Sequence, residues 1–113
     1  MWVGGAVVSE PRPFTVEEEQ RMLLRHIRGM ARYWAEQPNQ TAQERCDGLA
    51  FSILATLDGS SLEIPAYHLT VSVHESDEAY CKSQGENWHV IGLKITGEVH
   101  LHELYYNQEW LNQ

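Results

Sequence analysis

Residues 41–59 read TAQERCDGLAFSILATLDG, and the reading of this stretch decides the fold. Thr41 stands three residues before Glu44, the spacing at which a threonine hydroxyl and a glutamate carboxylate each satisfy one free backbone N–H at a helix start. Behind that box, Cys46, Leu49, Ala50, Ile53, Leu54 and Leu57 recur at helical spacing, and Asp58-Gly59 supplies a stop. Gly48, Ala50, Ser52 and Ala55 are small. A mid-helix glycine costs about 1 kcal/mol against alanine, so the small residues predict a face that something packs close against.

Upstream, Thr15 and Glu18 form a second capping box. Leu23, Ile27, Met30 and Trp34, joined by Leu24 and Ala31, mark an amphipathic helix to about Glu36, which Pro38 and Asn39 end. The short connection predicts an antiparallel helical hairpin. Downstream, residues 67–74 are rich in β-branched and aromatic side chains and alternate from Leu69 onward. Residues 88–96 form a second such run, broken at Gly92. A third strand over 98–103 competes with a helical reading of 99–110. Helices first and strands afterwards predict an α+β domain, the hairpin packed on one face of a small antiparallel sheet. Residues 1–14 are expected to be an N-terminal arm and 15–113 a single domain. Its expected core is Leu23, Ile27, Met30, Trp34, Leu49, Ile53, Leu54, Leu57, Leu69 and Val71.

The chain has 113 residues, 42% of them apolar, with four Trp and five Tyr. That is enough to fold without metal or disulfide staples. Its net charge of −8 is unevenly placed. Residues 1–36 balance, and the acidity belongs to the remainder. A surface of that sign repels phosphate, so neither nucleic acid nor an anionic membrane is an expected partner. Cys46 and Cys81 form no C-x-x-C pair, which predicts reduced thiols and a cytoplasmic setting. The apolar run near the N-terminus lacks a basic start and is too short to span a bilayer.

Arg21, Arg25, Arg28 and Arg32 recur at four, three and four, so they line one face of the first helix, half of all the cations in the chain. Such a row can grip an anionic partner through paired, charge-assisted bonds. Aromatics gather near both ends: Trp2, Phe14, Tyr33 and Trp34, then Trp88, Tyr105, Tyr106 and Trp110. Together these features predict a protein-contact surface, with a homodimer as the simplest form.

Enzymatic alternatives centre on the histidines. His102-Glu103 does not continue into the H-E-x-x-H of a zinc helix. On a strand, His100 and His102 would face one side, and His68, His74 or His89 would have to complete a metal site. The acidic loop of Glu75, Asp77 and Glu78 lacks the ligand ladder of a calcium loop. No nucleophile elbow, phosphate loop or dinucleotide fingerprint is present, so the expectation is a non-enzymatic protein without cofactor, and a metal-dependent one is the alternative.

The segments RCDGLAFSILATLDG, SSLEIPAYHLTV and the terminal LHELYY resemble a group of small, functionally uncharacterised bacterial and phage proteins. These proteins share an arginine-rich first helix, a GLAFSILxxLDG second helix, an IPA or LPA turn and a final LHELY. The resemblance implies no activity, substrate or catalytic residue. It implies an accessory protein carried on a phage, plasmid or gene cassette.

Overall fold

The computed structural model describes residues 2, 3, 6, 7, 10–98 and 100–113. Two strands of two residues each, β1 (Trp2–Val3) and β2 (Ala6–Val7), pair antiparallel at the start of the arm. Helix α1 runs Val16–Ala35 and α2 Ala42–Leu57; both predicted capping boxes are made, Thr15 with Glu18 and Thr41 with Glu44. Trp34 meets Gly48 and Ser52 while Met30 meets Thr56, so the two helices run antiparallel. Arg45 closes the connection by donating twice to the Gln37 carbonyl, at 3.1 and 2.8 Å.

Of the small residues of α2, Gly48 and Ser52 meet α1, while Ala50 lies on the opposite side of the helix. At about 100° per residue, Gly48, Ser52 and Thr56 share one side, and the six-membered ring of Trp34 lies against Gly48. The Trp34 Nε1 donates to Ser52 Oγ at 2.9 Å. Leu49, Ile53 and Leu57 lie about a quarter-turn or more away from that contact and remain partly exposed.

The predicted antiparallel sheet is not formed, and the α+β assignment is corrected accordingly: the described fold is helical. Residues 69–71 and 92–95 meet in one isolated bridge, Thr70 with Lys94, flanked by Val71 N–H to Leu93 O at 2.9 Å and Ile95 N–H to Leu69 O at 3.0 Å. Gly92, at φ +79, is the reason the ladder stops there. It turns the chain so that the Leu93 N–H bonds back to the Val90 carbonyl, and Gly97 at φ +113 turns it again. The acidic loop contains helix α3 (Asp77–Ser83). Beyond it, α4 (Leu101–Leu104) stands in place of the third strand expected over 98–103, in which Val99 lies outside the described residues, and α5 (Gln108–Leu111) follows.

The expected core is corrected as well. Among the described residues the only buried apolar side chain is Ile64, at 8% exposure, while Leu69 is exposed. Leu23, Ile27, Met30, Trp34, Ile53, Leu54, Leu57 and Val71 are all partly exposed. The radius of gyration is 19.8 Å, against about 13 Å for a compact domain of this length. The solvent-accessible surface is 9208 Å². A compact monomer of 13.0 kDa would have about 6,300 Å². Two helices and a turn with one buried aliphatic do not enclose a core, because most of the apolar stripe of α2 has no layer over it.

Candidate functional site

Asp47, Phe51 and Asp58 lie along a third side of α2, spaced four and seven residues apart, and α4 docks there. Asp58 caps the C-terminus of α2, where the helix dipole disfavours a carboxylate and where no basic side chain stands in the last turn. Gly59, at φ +93, and Ser60 return their N–H groups to Thr56 and Ala55, a glycine stop of the kind LDG predicts. The electrostatically misplaced Asp58 is compensated from 44 residues away: Oδ2 accepts the His102 backbone N–H at 2.9 Å and lies 2.7 Å from His102 Nδ1. This double contact holds 101–104 as a helical turn and removes those residues from any strand.

Burial pushes the Asp58 carboxyl upward, but hydrogen bonds from the His102 backbone and side chain and from the Leu101 backbone outweigh it and leave it below the ordinary aspartate value. The Asp58 side chain is fully shielded from solvent, and its Oδ1 is buried without a hydrogen-bond partner among the described residues. Phe51 meets the His102 ring edge-on at 5.4 Å and stacks on Tyr106 at 5.8 Å. Tyr105 donates to Asp47 Oδ1 at 2.8 Å. With Nδ1 committed to Asp58, Nε2 is the His102 ring nitrogen left for another partner.

His100 precedes α4 and stacks on His102 with ring centroids 5.4 Å apart. Its Nδ1 lies 3.6 Å from Glu103 Oε1. One donor atom each from His100, His102 and Glu103 falls within 4.8 Å of the others, and among the described residues this is the only such group of three or more His, Cys, Asp or Glu. The sequence pairing of His100 with His102 is therefore realised, by a helical turn instead of a strand. His68 and His74 stand elsewhere: His68 Nδ1 is 3.1 Å from Thr96 Oγ1, and His74 Nδ1 is 2.7 Å from Ser76 Oγ. His89 gives its backbone N–H to Asp77. Glu103 beside the two histidines and Asp58 behind His102 carry no signal in the sequence pattern.

All four arginines of the row are exposed. Arg21 pairs with Glu17 at 3.2 Å, whereas among the described residues Arg25, Arg28 and Arg32 make no ion pair or side-chain hydrogen bond. By helix geometry the row lies on the side of α1 opposite Met30 and Trp34, facing away from α2. Of the expected contact aromatics, Phe14, Tyr33, Trp88, Tyr106 and Trp110 are exposed; the Trp2 side chain lies outside the described residues. Beside Trp88 the exposed Val90 and Ile91 and the part-exposed Val73 line one depression with Glu75 and Glu78; Leu93 and Ile95, also exposed, lie further along the chain.

Cys46 and Cys81 are both free. Burial and the neighbouring Asp77 raise the Cys81 thiol pKa, which makes it a poor nucleophile. Among the described residues no helix is long and apolar enough to cross a membrane. Comparison with protein-family models, with curated proteins and with solved structures returns no significant match.

Proposed function

We propose that the chain is a non-enzymatic protein-contact module that completes itself by binding a second copy. One observation carries this reading: the accessible surface of 9208 Å² exceeds that of a compact monomer of equal mass by roughly 2,900 Å². A standard interface removes only about 800 Å² from each partner, so the surplus is the size found in obligate assemblies.

Charge supplies the register. The free guanidiniums of Arg25, Arg28 and Arg32, with exposed Leu24 beside them, match the depression that holds Trp88, Val90 and Ile91 and carries Glu75 and Glu78. Two copies facing each other make that contact twice, and each buries apolar side chains that would otherwise meet water. An accessory protein of a mobile element is the biological setting that the resemblance to small phage and bacterial proteins favours.

The test is sedimentation velocity of the parent and of an Arg25→Glu, Arg28→Glu double variant at low and high ionic strength. The variant weakens association most at low salt, where exposed charges are least screened, and leaves the circular dichroism of α1 unchanged. Identical association of the two proteins at every salt concentration would remove the arginine row from the interface.

A further inference from the structure

We infer that His100, His102 and Glu103 form a binding site for a divalent first-row transition ion, zinc in the first instance, with Asp58 as the buried group that aims His102. This site is independent of the self-association proposed above.

The donor set is two imidazoles and a carboxylate, the composition of three-ligand zinc sites that leave a fourth position open. The donors now lie within 4.8 Å of one another. Bonds of about 2.0 to 2.2 Å require them to draw closer. The two that have to move are free to do so: His100 is 46% and Glu103 68% exposed at the side chain, and their only mutual contact is 3.6 Å long.

The third donor is fixed. His102 is 17% exposed, clamped at Nδ1 and at its backbone N–H by Asp58, and braced on Phe51. A carboxylate on the far nitrogen of a ligand histidine sets the tautomer, orients the ring and raises its basicity toward a metal. Asp58 is such a carboxylate, and through the His102 backbone N–H it also docks α4. It sits at the unfavourable end of a helix, fully shielded, with Oδ1 unpartnered among the described residues, a placement that costs stability. Because His100 and Glu103 are exposed, the bound ion would be reachable by water or a small anion.

The experiment uses the full chain without an affinity tag, stripped with a chelator and titrated with zinc in competition with a chromophoric chelator. The cobalt form, read by its visible absorption, serves as a second readout. The expected result is one ion per chain with a nitrogen-oxygen cobalt spectrum. His100→Ala, at a residue whose side chain is 46% exposed, should weaken zinc at least 10-fold and keep the parent circular dichroism. Glu103→Gln should act in the same direction. Asp58→Asn should weaken it 10- to 100-fold, the range found for partners behind ligand histidines. His68→Ala and His74→Ala should leave it unchanged. No saturable zinc binding, or binding that survives both His100→Ala and Glu103→Gln, would overturn the assignment. If Asp58→Asn does not fold, the His100 and Glu103 variants decide.

Discussion

The ring of Trp34 occupies the space that a side chain at Gly48 would need: a Cβ built on Gly48 would lie 2.5 to 2.7 Å from three of its atoms. The α1–α2 hairpin is therefore set by a large-against-small contact, with the indole N–H tied to Ser52. Gly48→Ala should strain that contact by about 1 to 3 kcal/mol, against about 1 kcal/mol regained in helix propensity, for a net loss seen as a lower melting temperature. A rise in melting temperature would mean that the helices can separate without cost.

Ile64 and Leu62 make a second comparison, two residues apart. Ile64 is 8% exposed and Leu62 is 105% exposed. Ile64→Ala should cost about 2 to 4 kcal/mol in chemical denaturation, whereas Leu62→Ala should fall within about 0.5 kcal/mol of the parent. Equal losses would contradict the placement of this loop.

At the start of α1 the Glu18 carboxyl is held down to about 2, first by its hydrogen bonds from Arg12 and then by the Thr15 backbone N–H. Because the folded value lies below the unfolded one, its contribution is complete above the ordinary glutamate range. It is lost as pH falls from there through about 2. Helicity of the first turns should fall over that window in the parent. Glu18→Gln should start lower and show less of this change. A parent and variant with the same acid profile would remove the capping box from the account.

The helices were legible because their signals are local. Thr15 with Glu18 and Thr41 with Glu44 each lie within four residues, and Gly48 announced a close contact before its partner was known. The strands were misread because alternation at Leu69–Val73 and along 88–96 records apolar side chains on one side of an extended chain, whatever covers them. Gly92 and Gly97 then turn the chain before a ladder can lengthen. His100 and His102 are legible as a pair because they lie one residue apart, whereas Glu103 belongs to no complete ligand motif in the sequence. Asp58 could not be read at all, since nothing in LDG points to a histidine 44 residues later.

The most direct measurement of the central claim is the mass of the parent protein in solution, by sedimentation equilibrium from nanomolar to high-micromolar concentration at physiological salt. The account predicts a species of twice the chain mass at micromolar concentration, dissociating only on dilution. A Val90→Asp, Ile91→Asp variant, with charges placed in the depression beside Trp88, should stay at the mass of one chain. A parent that remains at the mass of a single chain across the whole range would contradict it.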